Sequence, residues 1–584
     1  MATVVLAWMA VGNGPVWCEE GAIVDRARPP RDTSPGQSPP AAATAKLPEP
    51  PSAAPGDSTP LGVKIRSLRL LARQEQVNPE GGEGKDGEIW VGDGINLPKG
   101  AMDLLRESYL GKEASMALFS SLTRDLIQAY RDSDFPLVDV YLPEQNITQG
   151  TIQVIVREAF LGGVRVEGAK HSRPGYLKSQ VRVEQGEKIN SRVVERDLEW
   201  LNENPIRTVR LIYERGKEDG TSDIVLDIKE RRPFEFSFGY ANSGVNATGQ
   251  GEWSGGITYF NVLGTEQSLS YSFTGDTNLG NLNAHALVYQ IPFPWRHTLR
   301  LIGAYVVSES DISNPLFPLG MNGESIQATA EYQIPLPRIQ PDWRSHFTVA
   351  ADYKSTNTDL LFGGESFFAG LAEIFQFRFG VDWTIPDAWG VTQVSLGMVT
   401  SPGDVLRRNT DEDFDLLRLD AKANYWYTTF GLQRYQKLPA KFGLVLRAEA
   451  QYTDERLIPT EQIIAGGYRT VRGVDENLIR GDSGGLVSAQ LMFPPVSLHG
   501  KKAAHAAAWD DELIPYGFYD TAFLYETGEL SSEPNPSLQT VGMGVSYRLG
   551  ERMNARAAYG WCVGESGVDG VENGRFHFGV QFRY

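Results

Sequence analysis

Cysteine is nearly missing from this 584-residue chain: Cys18 and Cys562 are the only two. That excludes a disulfide framework and a cysteine-rich metal centre. Histidine is sparse as well, with seven residues and no His-x-x-x-His pair, so no metal site is expected. No run of about 18 to 20 apolar residues occurs, so no helix beyond the N-terminus is expected to span a bilayer. Positive charge is not in excess. The formal net charge is -18, which argues against a nucleic-acid backbone as the partner. No Gly-rich phosphate loop is present, so neither a nucleotide-driven step nor a cofactor is expected. None of these absences excludes a membrane β-barrel, whose strands are only half apolar. The 61 glycines, 23 tyrosines and 26 phenylalanines are what twisted strands and aromatic girdles would use.

What is present is clearest in the last eleven residues. Phe576, Phe578, Val580, Phe582 and Tyr584 alternate with Arg575, His577, Gly579, Gln581 and Arg583. A period of two puts the apolar side chains on one face of a strand and the polar ones on the other. Such a segment fits the edge strand of a soluble sandwich, or the closing strand of an outer-membrane barrel with aromatics toward lipid. Recurrence upstream separates the two. Phe234, Phe236, Phe238 and Tyr240 share a face; so do Phe375, Phe377, Phe379, Val381 and Trp383, opposite Gln376 and Arg378. Val541, Met543, Val545 and Tyr547 oppose Gly542, Gly544, Ser546 and Arg548. Charged groups such as Arg378 and Glu449 would be costly toward lipid, so they are expected to face a lumen, as is Cys562 by parity. About sixteen such segments fit between residues 233 and 584, with strands of roughly 10 residues.

Residues 1–60 read differently. A short apolar run at 4–11 has no Lys or Arg before it and makes a poor signal peptide. Residues 28–60 are rich in Pro, Ala and Ser and are expected to form a disordered or extended linker. Between linker and barrel, two segments repeat the order β-α-α-β-β. In the first, strands are expected at 63–71, 137–142 and 151–157, with helices at 102–110 and 115–130, where Leu118, Leu122, Leu126 and Tyr130 recur at i+4. In the second, strands are expected at 161–166, 208–213 and 223–228, with helices at 173–181 and 191–204. Taken alone, this order also fits two unrelated α+β domains of a soluble enzyme.

Three segments carry a resemblance. They are Leu142-Pro143-Glu144-Gln145-Asn146-Ile147-Thr148-Gln149-Gly150 before the last strand of the first repeat, Gly220 to Leu226 near the end of the second, and Tyr240-Ala241-Asn242-Ser243-Gly244 on the first barrel hairpin. They resemble the paired POTRA domains and barrel of two-partner secretion transporters, the family of haemolysin and filamentous-haemagglutinin exporters. Phe135-Pro136 departs from the family's usual Gly-Tyr pair. The resemblance implies α+β periplasmic modules followed by a transmembrane antiparallel β-barrel of about 16 strands. The boundaries would be 1–60 for the leader and linker, 61–158 for POTRA 1, 159–231 for POTRA 2 and 232–584 for the barrel. It also implies a secreted exoprotein as client, captured near Pro143, Gln145 and Gly150, together with outer-membrane lipids and the assembly machinery that inserts the barrel. Family members often carry a plugging N-terminal helix, but residues 19–28 are too short and weakly patterned to identify one.

The longest outer connection, about 453–482, contains Gly466, Gly467, Val471, Arg472 and Gly473. In the resembling superfamily, a Val-Arg-Gly-aromatic motif in the sixth outer loop folds back into the lumen. Its arginine pairs with the acid of a Phe-x-Asp motif on the thirteenth strand. The corresponding residues are Phe518 and Asp520; Val474 replaces the aromatic, and Ala522 replaces a glycine. By parity, Tyr516 and Phe518 then line the lumen beside Asp520 and offer a stacking surface for a guanidinium.

Two further motifs point elsewhere. Gly481-Asp482-Ser483-Gly484-Gly485 copies the nucleophile signature of trypsin-like proteases, but the nearest histidine segment, at 503–506, follows it and lacks the expected cysteine. The acidic run 411–415 lacks the glycine spacing of a Ca²⁺ loop and is expected to be solvated. The function expected is therefore outward passage of an unfolded exoprotein, without enzymatic activity. An assembly factor for other barrels and a passive porin-like channel are the alternatives.

Overall fold

The computed structural model describes residues 57–584 except 219, 246–247, 312–318, 341, 363–364, 499–510, 529–534, 569–570 and 572. The expected leader, most of the linker and the histidine segment at 503–506 lie outside the described residues. The chain divides into two compact units that part between Arg231 and Arg232.

The first unit holds both repeats. Repeat one comprises β1 (Ser67–Leu71), β2 (Ile89–Val91), α1 (Ala101–Ser108), α2 (Met116–Arg131), β3 (Val138–Tyr141) and β4 (Thr151–Glu158). Its sheet order is β2-β1-β4-β3, with β1 parallel to both β2 and β4. Strand β2 departs from the expected β-α-α-β-β order. Three residues are too few for a two-residue period to show, and β2 is held by pairing with Leu68, Arg69 and Leu70 of β1. Ser115 caps α2 by accepting from the Leu118 N–H at 3.2 Å. Leu122, Leu126 and Tyr130 are fully buried against Leu68, Leu70, Ile152 and Val154. Each such aliphatic side chain contributes about 1.5–3 kcal/mol of burial.

Repeat two comprises β5 (Phe160–Glu167), α3 (Pro174–Ser179), α4 (Ser191–Asn202), β6 (Arg207–Arg215) and β7 (Thr221–Glu230), with sheet order β5-β7-β6. Val194, Leu198 and Leu201 of α4 pack on Val209, Leu211, Ile224 and Leu226. Polar contacts join the two repeats. Lys188 Nζ lies 2.6 Å from Glu158 Oε2 and donates to the Gly94 carbonyl at 2.7 Å. Arg192 Nε lies 2.6 Å from Asp134 Oδ1, and the Ser191 N–H donates to the Asp134 carbonyl. Glu158 is nearly buried and also accepts from the Tyr130 hydroxyl at 3.0 Å and the Asn96 N–H at 2.5 Å. Burial, then the adjacent Glu158 carboxylate, pushes the Tyr130 hydroxyl well above its ordinary pKa.

The second unit is a closed antiparallel barrel of sixteen strands. Its first eight are β8 (Phe234–Ala241), β9 (Glu252–Val262), β10 (Gln267–Asp276), β11 (Leu282–Pro292), β12 (Thr298–Asp311), β13 (Leu319–Pro335), β14 (Arg344–Phe362) and β15 (Glu365–Asp387). Next come β16 (Gly390–Pro402), β17 (Asn424–Lys437) and β18 (Gly443–Tyr452). A small hairpin, β19 (Ile463–Ala465) with β20 (Ile479–Gly481), is not one of the ring's strands and packs on the inward-facing Ala522 and Leu524. The ring resumes with β21 (Ser483–Met492), β22 (Asp511–Tyr525), β23 (Ser537–Leu549), β24 (Met553–Ser566) and β25 (Gly574–Arg583). Strand β25 closes it against β8, with Phe582 opposite Phe238 and the Tyr584 N–H donating to the Phe236 carbonyl at 2.9 Å.

Side-chain alternation sorts the two faces. Phe576, Phe582 and Tyr584 are exposed outward, and Phe578 and Val580 share their parity; Arg575, His577 and Gln581 are buried inward. Many strands exceed the roughly 10 residues expected. Strands β14 and β15 contain 19 and 23 residues, because their ladder continues beyond what crossing the hydrocarbon requires. The acidic run is a second correction. It forms a short helix, α5 (Asp411–Leu417), capped by Thr410, with Phe414 fully buried against Tyr425, Tyr427, Leu457 and Ile458. The run is therefore helical rather than a loop: Asp411, Glu412 and Asp415 stay exposed as expected, while Asp413 and Phe414 turn inward.

Candidate functional site

The connection from β18 to β21 turns back into the barrel. Its N-terminal part is fixed against β14 and β17: Glu461 is fully buried, 2.7 Å from Lys354 Nζ of β14, and accepts from the Tyr427 hydroxyl of β17 at 3.0 Å. Its tip reaches β21, β22 and β25. Arg472 Nε and Nη2 each donate to Asp520 at 2.8 Å, onto Oδ2 and Oδ1 respectively, and the Arg472 N–H adds a third bond at 3.1 Å. This two-pronged geometry fixes both direction and distance, which an ammonium could not. Arg472 also donates to Gln490 Oε1 at 2.6 Å and Ser488 Oγ at 3.2 Å, while Ser488 donates to Asp520 at 2.7 Å. The guanidinium lies over the Phe518 ring, 3.8 Å from its centroid, with Tyr516 at 5.7 Å.

Strand register explains the convergence. Ser488 pairs with Asp520 and Gln490 with Phe518 across the β21–β22 ladder, so all four project to the same face. Gly473 continues the contact: its N–H donates to His577 Nε2 of β25 at 3.0 Å, which requires that nitrogen to be unprotonated. Val471 and Val474 are buried with Ala522, Leu524 and Leu538, and Cys562 packs against the same cluster. An aliphatic Val474 and a small Ala522 thus fit this packing without the family's aromatic and glycine. Gly467, at φ +95°, lets the Glu476 carboxylate fold over it; that carboxylate accepts from the Tyr468 N–H at 2.9 Å. Asp475 pairs with Arg575, and the Arg556 guanidinium lies 3.9 Å from the Tyr468 ring centroid. No motif marks Ser488, Gln490, Asp475 or Glu476; inward parity is the only signal available for the first two.

The remaining sequence candidates lie elsewhere. Gln145 exchanges two bonds of 2.7 Å with the backbone of Gln153, continuing the β4 ladder past the end of β3. Pro143 is buried. Gly150 has φ +78°, and a Cβ there would lie 2.6 Å from the Lys64 carbonyl oxygen. The contacts of Gln145 and Gly150 are internal to the first repeat. Ser483 both donates to and accepts from the Thr453 backbone, at 3.0 and 2.8 Å. Its hydroxyl bonds a backbone strand end, unlike a poised nucleophile.

A sixteen-stranded barrel preceded by small α/β modules, with an arginine loop clamped against its inner face, defines the architecture of a module-bearing outer-membrane β-barrel. The chain belongs to the family described as "Haemolysin secretion/activation protein ShlB/FhaC/HecB", whose profile matches residues 220–511, half of its length. A second profile, "POTRA domain, ShlB-type", matches residues 92–159. The chain is similar to the heme/hemopexin transporter protein HuxB of Haemophilus influenzae (strain 86-028NP), 22% identical over 459 residues, covering 76% of each. It is also similar to the outer membrane transporter CdiB of Escherichia coli, 23% identical over 440 residues and 72% of each. The solved structure of CdiB from Escherichia coli shares the fold, with a TM-score of 0.67 at 17% identity over 93% of both chains. This protein is accordingly an outer-membrane transporter of the two-partner secretion type, with its POTRA domains in the periplasm.

Proposed function

We propose that the 453–482 loop is the latch of the translocation path and that the POTRA modules receive the unfolded client. The observation that carries the latch is the Arg472–Asp520 clamp, in which Arg472 is 6% and Asp520 0% exposed. Opening a path along that wall requires the tip to leave Asp520, Ser488 and Gln490 together. For client capture, β6 forms one edge of the second sheet, and an extended polypeptide can add a strand there through backbone bonds with little demand on sequence. Outward folding of the client would supply direction, and no catalytic step is needed. The aromatic face of β25 would meet lipid and present the closing strand to the assembly machinery.

The test compares proteins in the medium and on the cell surface with the gene intact, deleted, or carrying Arg472→Ala. Loss of one large exported protein in both altered strains, with other outer-membrane proteins unchanged, is expected. A general fall in outer-membrane barrels would replace secretion by barrel assembly. No change in either would favour a passive channel.

A further inference from the structure

The protease-like stretch contains a second clamp, at the outer foot of the same loop. Asp482 is 0% exposed. Its carboxylate receives both terminal nitrogens of Arg418, which lies on the β16–β17 connection; Nη2 reaches Oδ2 at 3.0 Å. It also accepts from the Leu457 N–H at 3.1 Å, the Gln462 amide at 3.2 Å and the Thr527 N–H at 2.8 Å. Leu457 and Gln462 belong to the opposite limb of the latch loop, and Thr527 lies in the β22–β23 connection. Arg418 additionally donates to the Leu457 carbonyl and lies 3.4 Å from Glu526. One buried carboxylate thus gathers three outer connections, among them both limbs of the latch loop.

We infer that Asp482 is a positioning residue for the latch: it fixes the two feet of the loop so that Arg472 is delivered onto Asp520. The inference rests on the reading of that loop as the latch. The two clamps divide the work by depth. Arg472 sits at the tip, inside the wall. Asp482 sits one residue before β21, and Arg418 ties it to a connection that does not take part in the tip contact. Five donors on a single carboxylate make a rigid foot, since losing that carboxylate removes a shared acceptor from all of them at once. Arg472 and Asp482 are ten positions apart, with only the short β20 strand between them, so a loose foot would widen the range of tip positions.

The test uses the full-length protein with Asp482→Ala, Asp482→Asn and Arg418→Met, beside Arg472→Ala. A nitroxide at Arg469→Cys, in a background with Cys18 and Cys562 replaced by serine, reports the mobility of the tip. Folding is checked separately by the heat-modifiable migration of the barrel. Folded Asp482→Ala and Arg418→Met proteins should give a sharpened nitroxide spectrum and about tenfold less client in the medium, the scale of one lost charge-assisted interaction. Asp482→Asn, which keeps an acceptor but loses the charge, should fall between. If Asp482→Ala does not fold, Arg418→Met and Asp482→Asn decide. A wild-type spectrum and wild-type secretion in these variants, with secretion lost in Arg472→Ala, would overturn the inference and leave the latch standing. Wild-type secretion in Arg472→Ala would instead remove the latch reading on which it rests.

Discussion

Gly473 and Gly560 meet backbone to backbone. A Cβ on Gly473 would lie 2.6 Å from the Gly560 carbonyl carbon, and one on Gly560 would lie 2.7 Å from Gly473 Cα. Gly473 also has φ +97°, a conformation that L side chains rarely adopt. Alanine at either position should push the tip off β24 and reduce client in the medium to the level of Arg472→Ala, while the barrel stays heat-modifiable. Unchanged secretion in both variants would show that the tip tolerates a different seat.

The Arg472–Asp520 pair predicts an asymmetry between substitutions. Asp520→Ala leaves a buried guanidinium without its anion, a loss of about 3–5 kcal/mol. Arg472→Lys keeps the charge but cannot form both prongs, so it should retain only part of the secretion. A double-mutant cycle on thermal unfolding of the purified barrel measures the coupling, which should be well above the roughly 0–1 kcal/mol of an exposed pair.

Glu158 predicts a local weakness in the periplasmic unit. Its replacement by alanine removes the acceptor of the Tyr130 hydroxyl and the Asn96 N–H and the partner of Lys188. Each buried group left without a partner costs about 1–3 kcal/mol. Limited proteolysis should then cut near the junction of the two repeats, around residue 159, faster than in the wild type.

Glu230 predicts a pH dependence. Burial raises its pKa, but hydrogen bonds from Ser172, His171 and Lys170 outweigh burial and hold the carboxyl below its ordinary value. A carboxyl lowered on folding stabilises above its unfolded pKa of about 4.3, and that contribution is lost as pH falls through the lower folded value. Amide-exchange protection in β7 should therefore fall below about pH 4.3 in the wild type. Glu230→Gln should show less protection at neutral pH and a flatter acid limb.

Much of this architecture is legible in the sequence because its strands alternate. Period two exposes the outward row Phe576, Phe578, Val580, Phe582 and Tyr584 without reference to any partner strand. Strand β2 and helix α5 are harder to read. The first is three residues long, and the second hides one buried phenylalanine among four acids. The clamp around Arg472 is legible only in part: the arginine and Asp520 stand out through a motif, whereas Ser488 and Gln490 reach it through the register of β21 on β22. Asp482 misleads, because a sequence signature associated with catalysis here marks a foot of the loop.

The β14–β15 hairpin carries a consequence of its own. At about 3.3 Å per residue, the 19 residues of β14 run roughly 60 Å, about twice the hydrocarbon thickness. Even with a tilt of about 45°, such a strand spans about 42 Å and extends beyond the hydrocarbon. The β14–β15 ladder thus carries paired backbone past the outer boundary of the hydrocarbon, so a polypeptide leaving along that wall would pass the transporter's own sheet before open solvent.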